Sequence, residues 1–324
     1  MPLTHLLKTT LSTIAFATAL SSICDESVYA ANIQTSATTS AQSAHIPMRE
    51  EFQVGSLYVE KYANPNAKGA PIILVPGLSS GSYVWDETVK QLREGHELYV
   101  LTLAGFNGKP AINGAKLPKA KESLIDLIQS RHIDRPVLVG HSLGSAMSIW
   151  LAETHSNLIR GVFAVDGLPV FPGTQNLTPE QRKTMAEASR QQMANADAQT
   201  YATQQLRYMQ ATGVVNPQLA EQIAARSAKS DPVATADYMA ELLMMDTRPD
   251  LPKIQVPVTV VSPYHAPDFA RANMSEESKT QYYMGLVQGI PKLKLVSISD
   301  ARHFVMLDQP KKFHDALMTF LQEL

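Results

Sequence analysis

Thiols are almost missing from this chain: Cys24 is its only cysteine. A single thiol cannot close an intrachain disulfide, build a thiolate zinc site or form a Cys-x-x-Cys redox pair. An excess of charge of one sign is missing too, with 28 basic against 30 acidic side chains. That balance gives no basic footprint for nucleic acid, and no like-charged run is long enough to act as an interaction tail. Long hydrophobic runs are also absent. The uncharged, mostly apolar residues 9–23 are too few and too rich in Ser and Thr to make a good spanning helix. There is no dinucleotide glycine fingerprint, phosphate loop or H-E-x-x-H, so neither a cofactor nor a metal is expected. What is present is 324 residues, 44% of them hydrophobic, enough for one large core or two small ones.

The amino terminus reads as a targeting segment rather than folded protein. His5 and Lys8 make a weakly basic start, residues 9–23 form the apolar centre, and Val28-Tyr29-Ala30 resembles an A-x-A cleavage site. Residues 1–30 are therefore expected to be a signal peptide directing export to the periplasm or the extracellular space, with no stable membrane insertion after cleavage. Removal takes Cys24 with it and leaves a thiol-free chain, suited to an oxidising compartment. Acylation of Cys24 is disfavoured because Ile23, not a small residue, precedes it. Residues 31–46 are rich in Ser, Thr, Ala and Gln and cannot bury enough surface to offset ordering entropy, so they read as a disordered spacer.

Residues 47–324 read as one domain. Short aliphatic runs at 72–75, 98–103, 137–139, 162–165, 258–261 and 293–298 have strand character, and helical patterns such as 119–130, 143–154 and 311–324 fall between most of them. Steady alternation of this kind predicts an α/β fold, a mostly parallel central sheet flanked by helices. Residues 52–62 alternate apolar and polar side chains and fit an antiparallel edge hairpin. Between about 168 and 252 strands give way to helical spacing, which predicts a helical cap inserted after the strand ending at Asp166. Met185, Met193, Met209, Met239, Met244 and Met245 fall in this stretch and suit either an adaptable apolar pocket or ordinary helix packing.

The chemical signal is the segment 137–144. An apolar strand runs into Gly140-His141-Ser142-Leu143-Gly144, and a helical pattern follows. A serine that presents its hydroxyl from a sharp strand-to-helix turn needs glycine two residues to either side, where side chains would collide. The helix start favours negative charge, and the Leu143 N–H is positioned to donate to an oxyanion. A serine nucleophile also needs a base. Of nine histidines, His303 follows the last strand pattern, at the sheet end where open α/β proteins place their chemistry. His265 is the weaker competitor. His141 is expected to point away from the turn, His314 to be solvated on the last helix, and His96, His132 and His155 to be surface positions, while His5 and His45 belong to leader and spacer. A carboxylate must orient the imidazole. Asp166 and Asp268 both follow strand patterns and both precede His303; Asp166 lies nearer its strand.

These residues resemble those of the α/β-hydrolase superfamily, over nearly all of residues 54–324. The resemblance rests on the order Ser…Asp…His, on the glycine-flanked elbow, on Ala301-Arg302-His303-Phe304 before the last helix, and on Leu74-Val75-Pro76-Gly77-Leu78-Ser79-Ser80-Gly81 leading to Trp85. Pro76-Gly77 stands where the family usually has His-Gly, and the resemblance implies Leu78 as the second oxyanion donor. Most members carry the acid after the penultimate strand, where this chain reads Pro263-Tyr264-His265-Ala266. A minority carry it one strand earlier, which implies Asp166. The expected activity is that of a serine hydrolase using Ser142, His303 and Asp166 on a small-molecule acyl substrate, a carboxylic ester first. An amide or peptide, a lactone or cofactor-free perhydrolysis are alternatives with the same triad. A noncatalytic exported binding protein on a hydrolase scaffold is the alternative of another class.

Overall fold

The computed structural model describes residues 49–324; the expected signal peptide and spacer lie outside them. Within the described residues, eight strands form one sheet, in the spatial order β1 (Arg49–Val54), β2 (Leu57–Tyr62), β4 (Leu98–Leu103), β3 (Ile72–Val75), β5 (Val137–His141), β6 (Gly161–Val165), β7 (Val258–Tyr264) and β8 (Leu293–Ser299). The hairpin β1 (Arg49–Val54) and β2 (Leu57–Tyr62) is antiparallel and turns through Gly55 at φ +54°, where a Cβ would stand 2.2 Å from Ser123 Oγ. β1 carries Arg49, Glu50 and Glu51 on an exposed edge, a charge pattern that discourages pairing with another chain. From β4 onward the pairing is parallel.

The central strands β3 (Ile72–Val75), β4 (Leu98–Leu103), β5 (Val137–His141) and β6 (Gly161–Val165) are buried throughout. Their aliphatic runs do not alternate because helices cover both faces. One apolar cluster packs α2 (Leu117–Ser130) and α3 (Leu143–His155) against the sheet. A second, on the other face, is built on Trp85, Phe163, Phe304 and Phe313, the last from α11 (Pro310–Gln322). Register matters for the chemistry. His141 on β5 pairs with Val165 on β6, and Val165 pairs with Val261 on β7 (Val258–Tyr264). Ser142 and Asp166 therefore leave the sheet side by side, one residue past the same row.

Between β6 and β7 the chain forms the helical cap: α4 (Pro179–Ala194), α5 (Ala198–Tyr208), a π-helical turn at Met209–Gly213, α6 (Pro217–Ser227) and α7 (Pro232–Met244). Each cap α-helix has a local start signal. Thr178, Asp197, Asn216 and Asp231 accept backbone N–H bonds at the N-caps, and three of the helices also begin with proline. The two stems of the cap run together, with Val170 bridged to Asp246 and the Thr247 N–H donating to Pro169 O. Buried hydroxyls fasten the cap to the loop after β3: Ser79 Oγ lies 2.8 Å from Tyr201 Oη and 3.3 Å from Thr235 Oγ1. The methionines do not gather in one place. Met209 is buried over the sheet, Met239 packs between α4 and α7, and Met185 and Met244 are exposed.

Candidate active site

Ser142 sits in the sharp turn between β5 and α3 with φ +54° and ψ −118°, a conformation that costs a non-glycine residue energy. The surroundings hold it there. Its N–H donates to Val165 O at 2.8 Å. A Cβ on Gly140 would stand 2.5 Å from the Gly144 carbonyl oxygen, and one on Gly144 would stand 2.3 Å from Val75 O. Gly167, which sequence reasoning did not single out, is the third such contact: its Cβ would be 2.0 Å from Ser142 O. Ser142 is partly exposed, while Leu143 beside it is buried. Leu143 is the first residue of α3, so its N–H has no carbonyl of its own helix to meet. The loop after β3 runs alongside: a Cβ on Gly77 would approach Ser142 Cβ to 3.0 Å and His141 Nδ1 to 2.8 Å. Leu78, the other expected oxyanion donor, follows Gly77 in this loop.

His303 lies beyond β8 (Leu293–Ser299), and its Nδ1–H donates to Asp166 Oδ2 at 2.5 Å. Asp166 itself has φ +47°, and its N–H is held by Val261 O at 3.0 Å. Tyr283, on α9 (Glu276–Val287), donates its hydroxyl to the second carboxylate oxygen. Burial alone would raise the Asp166 pKa. The hydrogen bond from His303 and the charge it carries when protonated, the nearby Lys279 ammonium and the Tyr283 hydroxyl outweigh it and hold the carboxyl well below its ordinary range. Burial and the same carboxylate push the Tyr283 hydroxyl well upward, so it stays a donor. Asp268, the other candidate, is not near this histidine's Nδ1. Both its oxygens take a bidentate pair from Arg302, at 2.8 Å and 2.7 Å.

His141 is fully buried beneath the site. Its ring lies 4.5 Å from those of His303 and Phe304, and its Nε2–H donates to His303 O at 3.0 Å. Burial, reinforced by His303, lowers its pKa well below the usual histidine value, so it is neutral. Rather than pointing elsewhere, its ring faces the His303 segment and grips the backbone of the residue that meets Asp166. Of the remaining histidines, His96, His155 and His314 differ from expectation, all three being half-buried. His96 is half-buried with Nδ1 2.8 Å from Ala70 O, and His314 is half-buried on α11 rather than solvated. His265 stands at the start of the short helix Ala266–Phe269 after β7, with its carbonyl accepting the Asp268 N–H at 3.0 Å. Among the described residues, no group of His, Cys, Asp and Glu is arranged to hold a metal ion, and no helix is long and apolar enough to cross a membrane.

A strained serine at a helix start, a histidine–aspartate pair and a glycine loop beside them, all at the carboxyl ends of neighbouring parallel strands, define the hydrolase class of α/β protein. The chain belongs to the alpha/beta hydrolase family, whose model matches residues 72–316. It is 24% identical over 203 residues to the pimeloyl-[acyl-carrier protein] methyl ester esterase of Vibrio atlanticus, covering 61% of this chain and 76% of that one. It is 30% identical over 94 residues to the biotin biosynthesis bifunctional protein of Cellvibrio japonicus, covering 29% and 18%. The chain spans less than half the length of the first curated relatives it matches. Its fold superposes on a thermophilic esterase from Thermogutta terrifontis with a TM-score of 0.62 and 21% identity, over 85% of this chain and 98% of that one.

Proposed function

We propose that the protein is a serine hydrolase that cleaves a small carboxylic ester through an acyl-enzyme. The observation that carries this reading is the His303 Nδ1–Asp166 hydrogen bond formed beside a strained Ser142. With Nδ1 committed to Asp166, Nε2 of His303 is the nitrogen available to take the Ser142 proton. The Ser142 oxygen attacks the ester carbonyl, and the Leu78 and Leu143 N–H groups stabilise the oxyanion. Collapse breaks the bond to the alkoxy oxygen, which leaves as alcohol with the proton from His303. Water then gives a proton to His303 and attacks the acyl carbon; the bond to Ser142 Oγ breaks, Oγ takes the proton back from His303, and the acid is released. Asp166 keeps the imidazole in one tautomer and stabilises its cation.

The ester as first substrate draws support from the Vibrio relative, whose name states that it is a methyl ester esterase. Lactones, amides and perhydrolysis use the same groups. A screen of aryl esters of increasing acyl length, with lactones and aminoacyl anilides alongside and Ser142→Ala as blank, tests the choice. Short aryl esters are expected to turn over fastest; turnover confined to anilides or lactones would move the assignment to that bond. Export also belongs to the proposal, supported by the leader-like residues 1–30, and amino-terminal sequencing of the secreted chain, expected to begin at Ala31, checks it.

A further inference from the structure

The segment that carries His303 makes few of its bonds to the sheet and many to the cap. The His303 N–H donates to Thr212 O at 3.1 Å, and the Phe304 N–H donates to Gly213 O at 3.0 Å. Arg302 reaches the same turn: its Nη1 donates to Gln210 O at 2.7 Å and to Val214 O at 3.1 Å. Asp308 completes the join, accepting the Arg302 N–H through Oδ2 and the Val215 N–H through Oδ1, both at 2.8 Å. The chemistry of a helix end explains why the cap can do this. The last carbonyls of a helix have no partner within it and carry partial negative charge. Here α5 runs on into the π-helical turn Met209–Gly213, and the carbonyls at that end are met by two amides and a guanidinium from the histidine segment. Such π turns recur at functional sites. On its other edge, Arg302 is oriented by the fork–fork pair with Asp268, and its side chain is only 17% exposed.

We propose that Arg302 is a positioning residue for His303: it ties the histidine segment to the cap turn, with Asp268 as its orienting counter-ion. The cap thereby sets where the base stands as well as covering the site. This rests on the serine-hydrolase reading above. Arg302 touches neither substrate nor the reacting atoms; it acts through the backbone that presents the imidazole. A lysine cannot replace it, because a point ammonium cannot hold a carboxylate in bidentate fashion and two carbonyls together.

The test uses Arg302→Met, Arg302→Lys, Asp268→Asn and the Arg302→Met/Asp268→Asn double variant. Four quantities are measured: the rate of fluorophosphonate labelling at Ser142, kcat and KM for the best ester, and amide hydrogen exchange in a peptide spanning 302–304. Arg302→Met is expected to slow labelling and lower kcat at least tenfold with KM within about twofold, and to speed exchange at the His303 and Phe304 amides. Arg302→Lys should recover only part of the rate. Asp268→Asn should cost severalfold in the wild-type background and nothing further when Arg302 is already Met. If Arg302→Met does not fold, Arg302→Lys and Asp268→Asn carry the same comparison. Labelling, kcat and exchange that match wild type in folded Arg302 variants would overturn the inference while leaving the hydrolase reading intact. Wild-type protein that never labels at Ser142 would remove that reading, and this inference with it.

Discussion

At the scale of single residues, the site depends on groups held where they would not rest by themselves. Ser142 and Asp166 both have positive φ, at +54° and +47°, and each is fixed by a backbone bond to the neighbouring strand. The carboxylate is the best-defined member, with His303 on one oxygen and Tyr283 on the other. Asp166→Asn is expected to leave the fold intact and lower kcat by about 10³- to 10⁴-fold, because an amide no longer enforces the productive tautomer. Asp268→Asn should cost less than about tenfold, since it acts only through Arg302. Steady-state kinetics on the two variants checks the order; a reversed ranking would reassign the acid. The serine turn was legible because two of the bare positions it needs, glycine at 140 and 144, lie within five residues. Tyr283 was not, being 117 residues from the oxygen it meets. Gly167 was missed for a related reason: its need for a bare Cα is set by Ser142 O, which no local pattern reveals.

At the scale of elements, strands and helices followed the sequence closely where each ran against its own punctuation. The aliphatic run at 72–75 is a strand over those same residues because both its faces are covered, and cap helices begin where Thr178, Asp197, Asn216 and Asp231 offer caps. What periodicity could not give was how the elements dock. Glu153, near the end of α3, shows this. It is buried, its Oε1 accepts from the Thr247 hydroxyl at the cap stem, and its other oxygen has no partner among the described residues. Burial raises its pKa to about 7, with Asp250 adding and Thr247, Lys121 and Lys253 opposing. The folded state therefore holds a proton that the unfolded chain releases near the ordinary carboxyl value. Folded protein binds more protons between those two limits, so stability falls as pH rises through that window and levels off above about 7. The loss is about 1.4 kcal/mol per pH unit at its steepest. Urea unfolding of Glu153→Gln between pH 5 and pH 8 is expected to lack this decline. A variant that keeps the wild-type slope would assign the decline to other groups.

At the scale of the whole molecule, the cap and the sheet act as one frame around the site. The loop after β3 is pinned to α5 and α7 through Ser79, Tyr201 and Thr235, the cap stems are closed by the Val170–Asp246 bridge, and the His303 segment is stitched to the turn at Met209–Gly213. The glycine loop, the elbow and the histidine segment thus meet at one end of the sheet although they are spread over more than two hundred residues of chain. The nucleophilic role proposed for Ser142 is open to direct measurement. Intact-protein and peptide mass spectrometry after treatment with a fluorophosphonate tests it most directly. One adduct per chain is expected, on the peptide containing Ser142, with no adduct and no ester turnover in a folded Ser142→Ala protein. An adduct on another residue, or ester turnover undiminished in Ser142→Ala, would contradict it.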